Sequence, residues 1–254
     1  DADDKVNAFI RVKQLQDPEY NMSHNLLFCT RKGVIKKTKL EAYSRPRQNG
    51  VNAITIREDD QVIQVRLTTG DSQIIMANKH GRAIRFHEST VREMGRTATG
   101  VRGMTLDETG DDEVIGMICI KDPEKETVMV VSEQGYGKRS EIEDYRITNR
   151  GGKGVKTLNI TEKTGNLVAI KSVTDENDLV IINKSGITLR MKVADVRIMG
   201  RATQGVRLIN LEKRNDEIAS VCKVLSETES DSSNSENIDS ASEINEAEAS
   251  ETTE

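Results

Sequence analysis

The stretch Leu26-Leu27-Phe28-Cys29-Thr30-Arg31-Lys32-Gly33 is a short apolar strand that runs into a turn closed by glycine. The same pattern returns at residues 74–81, 128–135 and 179–186. The four turn glycines are 48, 54 and 51 residues apart. A period near 50 residues predicts an array of structural repeats in which neighbouring units bury each other's apolar faces.

Each repeat continues in the same way beyond its turn. A second strand with basic residues leads into a polar loop that ends in a second glycine, and an apolar strand such as residues 51–56 follows. An acidic turn then precedes a last strand, such as residues 62–67. β-Branched residues in alternation predict strands, and helix is predicted only as single turns near residues 39–43 and 193–197. The sequence therefore predicts an all-β, propeller-like fold of four-stranded blades.

Three segments follow from this pattern. Residues 1–22 are predicted to supply a strand that completes a preceding blade, so that the array begins upstream in a longer protein. Residues 225–254 hold ten acidic residues and no Lys or Arg, and this composition predicts a disordered acidic tail. The four blades lie between them, at about residues 23–71, 72–124, 125–176 and 177–224.

Charge is separated along the chain and within each repeat. The net charge is -5 overall, but residues 1–224 alone hold 37 basic and 32 acidic residues. Four windows, 31–50, 82–103, 138–156 and 190–207, contain 23 basic and 7 acidic residues. Because these windows occupy equivalent positions in the repeats, they are predicted to form a cationic belt around the perimeter, suited to phosphate.

The residues that could contact bases decide which kind of nucleic acid is predicted. Tyrosines are too few to stack single-stranded bases, and no base-reading motif is present. Backbone contact with bent duplex DNA remains. The three histidines have no ligand-like neighbours in sequence, so we expect surface histidines and no metal. No catalytic constellation is predicted either, and the three cysteines are expected to be reduced and buried.

The repeats resemble the C-terminal DNA-wrapping domain of the DNA gyrase A subunit, a bacterial type IIA topoisomerase. The resemblance covers residues 5–224 and rests on five matches: residues 33–38, 81–86, 91–96 with 99–103, 134–139 and 200–206. It implies a β-pinwheel, whose blades exchange a strand with their neighbours. It also implies cytoplasmic DNA wrapping that supports ATP-dependent negative supercoiling. The implied partners are duplex DNA, the remaining domains of gyrase A, and gyrase B in an A2B2 complex. ATP and Mg²⁺ would act in other domains, with no cofactor here.

The predicted DNA-binding residues are nineteen of the basic residues in the four windows, and they lie on second strands, loops and following strands. They are Lys36, Lys37, Arg45, Arg47, Arg82, Arg85, Arg92, Arg96, Arg102, Lys138, Arg139, Arg150, Lys153, Lys156, Arg190, Lys192, Arg197, Arg201 and Arg207.

A glycine-rich loop, Arg150-Gly151-Gly152-Lys153-Gly154, resembles the family's Gln-Arg-Arg-Gly-Gly-Lys-Gly box. The family carries that box in its first blade and usually has about six blades, whereas the loop lies in the third repeat of four. Either the true box lies upstream with two further blades, or residues 150–154 serve as the box in a rearranged array.

Two other functions remain open. The homologous domain of topoisomerase IV selects substrates without full wrapping, and a protein-binding propeller scaffold would not need a cationic rim. A further hypothesis is that the acidic tail folds back on the belt and competes with phosphate.

Overall fold

The structure, a computed structural model, describes residues 5–108, 110–211 and 216–226. Within these ranges the strands form four antiparallel sheets, one for each repeat, which confirms the all-β propeller-like fold. Strands are numbered along the chain, and each sheet has three longer ones. In the first repeat these are β1 (Asn25–Thr30), β2 (Val34–Lys39) and β3 (Val62–Thr68), and in the second β4 (Gln73–Asn78), β5 (Arg82–His87) and β7 (Val114–Ile120). In the third they are β8 (Thr127–Ser132), β9 (Tyr136–Glu141) and β11 (Leu167–Val173), and in the fourth β12 (Asn177–Asn183), β13 (Thr188–Lys192) and β15 (Ile218–Leu225).

The first two strands of each repeat form a tight hairpin. In the first repeat Phe28 pairs with Lys36 and Cys29 with Ile35. The turn closes where Gly33 adopts a φ of +82°, a conformation that glycine takes without steric strain. A 3-10 turn follows each second strand, at Leu40–Tyr43, Glu88–Thr90, Ile142–Asp144 and Val193–Asp195.

Each of the first three sheets takes its outermost strand from the next repeat. These short strands are β6 (Val101–Arg102), β10 (Val155–Lys156) and β14 (Val206–Arg207), and they pair with β2, β5 and β9 respectively. The resulting strand orders are β3-β1-β2-β6, β10-β5-β4-β7 and β11-β8-β9-β14, and the fourth sheet has the order β13-β12-β15. This exchange of strands is the feature that distinguishes a pinwheel from a propeller whose blades are each continuous in sequence.

The core lies between neighbouring sheets. One buried cluster joins Ile75 and Ile118 of the second sheet to Val128 and Ile170 of the third. The last long strands of successive repeats contact each other, β3 with β7, β7 with β11, and β11 with β15. Burying each such aliphatic side chain contributes roughly 1.5–3 kcal/mol, so a blade gains its stability from its neighbours.

The N-terminal segment, predicted to complete a preceding blade, forms no strand with the four sheets of the described chain. Residues 5–17 form no strand, and a short helix, α1 (Pro18–Ser23), follows them with Asp17 as its N-cap. Ile10 packs on the first sheet, but Phe9 is 92% exposed. A strand needs a sheet edge to pair with, and residues 5–17 pair with no strand of the described part of the chain.

Two further predictions concern residues 51–56 and the C-terminal tail. Residues 51–56, predicted as a strand, have no strand partner among the described residues, although their equivalents in the other three repeats are β6, β10 and β14. The predicted disordered tail lies outside the described residues except for Leu225 and Ser226. In the ranges that the structure describes, no helix is long and apolar enough to cross a membrane.

Candidate nucleic-acid interface

Three predicted DNA-binding residues are buried and join one repeat to the next. They stand four positions after the hairpin glycine: Lys37, Arg85 and Arg139. Arg85 Nη1 donates to the carbonyl oxygens of Ile142 (2.8 Å) and Tyr145 (2.9 Å) at the 3-10 turn of the third repeat. Arg139 Nε donates to Val196 O (2.8 Å), and Lys37 Nζ to Glu88 O (3.3 Å). Each cation therefore caps the 3-10 turn of the following repeat.

Two lysines one position earlier are also enclosed. Lys138 Nζ donates to Gly200 O at 2.7 Å, and Lys36 Nζ donates to Ala53 O at 2.5 Å and to Arg96 O. Burial disfavours the charged ammonium and lowers the pKa of each lysine to about 8. Arg96 adds to this lowering of the pKa of Lys36.

These placements correct the prediction for five of the nineteen residues. A side chain that is at most 6% exposed and hydrogen-bonded to interior carbonyls has no face left for phosphate. Lys36, Lys37, Arg85, Lys138 and Arg139 are therefore blade-joining cations.

The loops of successive repeats are held in register by one repeated backbone contact. The backbone N–H groups of Met94, Thr148 and Met199 donate to the carbonyl oxygens of Lys37, Arg85 and Arg139, at 2.8, 2.9 and 2.8 Å. Each loop thus contacts the second strand of the preceding repeat at the equivalent residue.

Half-buried arginines in these loops bridge consecutive repeats. Arg150 donates from Nε to Thr90 O and from Nη1 to Arg102 O, both at 3.0 Å. Arg201 makes the equivalent bonds one repeat later, to Asp144 O at 3.0 Å and Lys156 O at 2.9 Å. Arg150 therefore lies beside Arg102, and Arg201 lies beside Lys156 in the same way, so cations of adjacent repeats are neighbours.

Exposed cations complete the perimeter. Arg102, Lys156 and Arg207 occupy the outermost strands, and Arg207 also bonds the buried Tyr136 hydroxyl. Arg92 and Arg197 lie exposed at one equivalent loop position, which Arg146 shares. Arg146 was missed as a site residue, although aligning Val91-Arg92, Tyr145-Arg146 and Val196-Arg197 finds it. We call the following set the basic belt: Arg92, Arg96, Arg102, Arg146, Arg150, Lys153, Lys156, Arg197, Arg201 and Arg207.

Four other predicted residues, in the first and fourth repeats, lie outside the belt. Arg45 and Arg47 are exposed in the first repeat and line one cleft together with Arg96. Arg190 and Lys192 are exposed on β13. Arg190, the fourth-repeat equivalent of Arg85, forms an ion pair with Asp178 at 2.8 Å.

In the box-like loop, residues 150–154, some residues are fixed by packing and others are exposed to solvent. Gly154, at φ +72°, lies so close to the second sheet that a Cβ atom would be 2.3 Å from Ala83 O. Arg82 fixes the loop by donating to Lys153 O and Gly154 O. Gly152 and the Lys153 side chain are exposed, and the loop lines a cleft with Arg146 and Arg150. Gly154 is therefore required by packing, whereas Gly152 and Lys153 are free to meet a ligand.

The acidic turns lie at the opposite end of the strands. Their backbones pair with the hairpin turns, as in the bond from Lys79 N to Glu113 O (2.8 Å) and that from Lys184 N to Glu217 O (2.8 Å). The 3-10 turns, from which the basic loops start, are at the other end of each second strand. In the first, second and fourth repeats the acidic turn and the basic loop therefore lie at opposite ends of the strands.

Blades that exchange outermost strands and carry cations along one perimeter define the class of this chain, a β-pinwheel with a basic rim. Comparison with known proteins gives the family. The family described as DNA gyrase C-terminal domain, beta-propeller, matches four times, at residues 24–69, 72–121, 126–174 and 177–222. The chain belongs to this family.

Relatives and solved structures agree with that assignment. The DNA gyrase A protein of Staphylococcus aureus (strain NCTC 8325 / PS 47) is 45% identical over 234 residues, which cover 92% of this chain and 26% of that protein. A crystal structure of the C-terminal domain of DNA topoisomerase IV superposes with a TM-score of 0.74 and 27% identity, over 80% of this chain and 62% of that one. A DNA gyrase A C-terminal domain superposes with a TM-score of 0.71 and 27% identity, over 80% and 67%. The chain spans about a quarter of the length of the gyrase relative.

Proposed function

We propose that this chain binds duplex DNA along the basic belt and wraps it, as the wrapping domain of a gyrase A protein. The observation that carries the proposal is the repeated bridge from Arg150 to Arg102 O and from Arg201 to Lys156 O. These bridges make cations of separate repeats adjacent, so a phosphate backbone that follows the perimeter meets positive charge from one blade to the next.

Electrostatics sets both the strength and the salt dependence of this binding. Bending a duplex of 20–30 bp by 40–90° costs on the order of 1–6 kcal/mol. Each phosphate neutralised by the belt releases condensed counterions, which favours binding at low salt. The ten belt cations are enough to offset the bending energy if several contact phosphates at once.

Binding is proposed to be independent of base sequence. Tyr136 and Tyr145 are buried, and the Tyr43 hydroxyl donates to Ala53 O, so these rings do not form a stacking surface for bases. The belt consists of arginines and lysines on short strands and loops, which suits backbone contact and deformability rather than groove reading.

The wider assembly is proposed from the gyrase relatives. In it the chain would be an arm of gyrase A that acts with gyrase B in an A2B2 complex in the bacterial cytoplasm, close to the chromosome. Wrapping by the arm would give a handed crossing to DNA that other domains cleave and pass, with ATP and Mg²⁺ bound there. The arm contributes binding and geometry to negative supercoiling.

A topoisomerase IV-type arm is the second candidate, because the topoisomerase IV domain superposes as closely as the gyrase domain. The two candidates share binding and differ in wrapping, which the structural likeness does not separate.

The experiment that tests binding is a titration of the chain with duplex DNA of several sequences at a series of salt concentrations. We expect affinity that is independent of sequence and falls steeply as salt rises. Weak binding with little dependence on salt would contradict the proposal and favour a protein-binding scaffold.

A further inference from the structure

A cluster of a histidine and aspartates lies at the hairpin end of the second blade, on the side away from the belt. His80 lies in the turn between β4 and β5, and Asp107, Asp111 and Asp112 lie in the turn before β7. His80 Nδ1 is 3.4 Å from Asp107 Oδ2 and 3.8 Å from Asp112 Oδ1. Ligand atoms of His80, Asp107 and Asp112 all lie within 4.8 Å of one another. His80 thus departs from the expectation, drawn from the sequence, of histidines without ligand-like neighbours.

Asp112 supplies an independent sign that the cluster has a place for a cation. Its side chain is fully buried, and its Oδ2 atom accepts hydrogen bonds from Asn78 Nδ2 at 2.6 Å and from Asp107 N at 3.0 Å. Its Oδ1 atom is buried, has no hydrogen-bond partner within the described part of the chain, and faces His80. A buried carboxylate oxygen in that position is unfavourable unless a cation or a donor satisfies it.

The equivalent turn of the first repeat shares the buried carboxylate, since Asp60 Oδ2 is also buried without a hydrogen-bond partner among the described residues. It differs from the second repeat in the groups that surround that carboxylate. There an aspartate, Asp60, accepts from the backbone N–H of Lys32, which stands where the second repeat has His80. Lys32 Nζ donates to Glu58 O at 3.2 Å. A lysine ammonium has no lone pair to offer a metal. His80 offers a lone pair instead, and Asp107 adds a second carboxylate beside it.

We propose that His80 Nδ1, Asp107 and Asp112 bind a divalent transition-metal ion of the Zn²⁺ type. Ligands at about 2.1 Å from a metal lie roughly 3.0–3.4 Å apart in octahedral or tetrahedral sites, so small side-chain shifts suffice here. Asp111 Oδ1 lies 3.4 Å from His80 Nε2, where a carboxylate orients the ring of a metal-bound histidine. One imidazole with two carboxylates suits Zn²⁺ better than Mg²⁺, which prefers oxygen ligands alone.

The ion would tie the β4–β5 hairpin to the turn that leads into β7. His80 and Asp107 side chains are 24% and 35% exposed, so an ion and its remaining water ligands can enter from solvent. Because the site is at the opposite end of the strands from the belt, it stabilises the blade without contacting the DNA path. Ion binding is therefore independent of the proposed function.

The test is calorimetric titration of the full chain with Zn²⁺ in a Cys222→Ser background. Cys222 is exposed, contrary to the prediction that all three cysteines are buried, and its thiol is a competing ligand. We expect one ion per chain, and a rise of the melting midpoint with Zn²⁺. Asp107→Asn should weaken binding at least about tenfold, and His80→Lys should abolish it while keeping the fold that Lys32 supports in the first repeat. Excess Mg²⁺ should not displace the ion.

His87→Gln is the matched control. His87 faces a single carboxylate, with Nε2 at 3.2 Å from Asp71 Oδ1, so its replacement should leave Zn²⁺ binding unchanged. The proposal is overturned if the chain binds no Zn²⁺ in the micromolar range, or if binding persists in both His80→Lys and Asp107→Asn. Should His80→Lys fail to fold, Asp107→Asn alone decides, since Asp107 is partly exposed and its carboxylate faces His80.

Discussion

Arg85 of the second repeat donates a hydrogen bond from Nη1 to the carbonyl oxygen of Tyr145 in the third repeat, at 2.9 Å. A charged residue from a predicted DNA-binding strand thus serves to hold two blades together. The distinction between cations that join blades and cations that face solvent yields opposite predictions for variants of the two kinds.

Arg85→Met should destabilise the fold without weakening DNA binding directly. Two carbonyl oxygens at the 3-10 turn lose their charged donor, and we expect a loss of about 3 kcal/mol in the free energy of unfolding. Arg190→Met removes the equivalent arginine of the fourth repeat, which is exposed, and should cost about 1 kcal/mol or less. Urea denaturation of both variants compares them, and equal losses would contradict the assignment of Arg85 as a blade-joining residue.

Exposed belt residues should behave in the opposite way. Replacing Arg92, Arg146 and Arg197 by Gln removes three cations from equivalent loop positions. Affinity for duplex DNA at about 0.1 M salt should fall by roughly 100-fold, and the slope of log K against log salt should flatten by about 3. The melting midpoint should not change.

A control with the same loss of charge separates contact from net charge. Arg57, Lys125 and Lys163 are exposed outside the belt, and their replacement by Gln should leave the slope nearly unchanged. If this triple variant weakens DNA binding as much as the belt variant, binding depends on total charge, and the belt has no special role.

The loss of stability on replacing a loop glycine by alanine should depend on the atoms that surround that glycine. Gly154→Ala places a Cβ 2.3 Å from Ala83 O at a φ of +72°, and we expect a loss of at least about 2 kcal/mol of stability. Gly50 has a similar φ of +75°, but a Cβ there would meet no atom of the described chain within 4 Å. Gly50→Ala should therefore cost only about 1–2 kcal/mol. Thermal or urea unfolding measures the difference, and equal losses would show that packing on Ala83 is not the reason for Gly154.

Lys138 should make stability depend on pH in the alkaline range. Its pKa is lowered by burial to about 8, from 10.5, so above pH 8 the unfolded chain binds more protons than the folded one. Stability from this group therefore rises between about pH 8 and 10.5. Relative to Lys138→Met, the chain should gain about 1–2 kcal/mol between pH 7 and 9.5. A constant difference between the two across that range would contradict a pKa lowered by burial.

The repeat architecture could be predicted from sequence because its signal is local and occurs four times. Apolar strands, turn glycines and basic loops each recur at one spacing, and the structure gives each repeat its own sheet. The N-terminal strand stays a prediction, because a strand that completes a preceding blade needs that blade as its partner. Apolar residues such as Ile10 and Val12 satisfy the pattern of a strand, but a strand requires a partner edge, and these side chains instead pack on the first sheet.

The sequence predicted which segments form the candidate interface, but it was less successful in predicting which of their cations face solvent. Lysine and arginine are rarely buried, so nothing in the local pattern indicated that Lys36 and Lys138 are enclosed. Each has a carbonyl partner about one repeat further along the chain, Arg96 for Lys36 and Gly200 for Lys138, and only folding brings them together. The register of Arg150 with Arg102 was likewise visible only in three dimensions.

The central claim is that cations from successive repeats form one track that bends duplex DNA. The most direct test is to relax a circular plasmid with a nicking-closing topoisomerase in the presence of the chain, and to measure the linking number after removing the protein. We expect a shift of one sign that grows with protein until saturation and is lost in the Arg92, Arg146 and Arg197 triple variant. Tight DNA binding with no change in linking number would contradict wrapping.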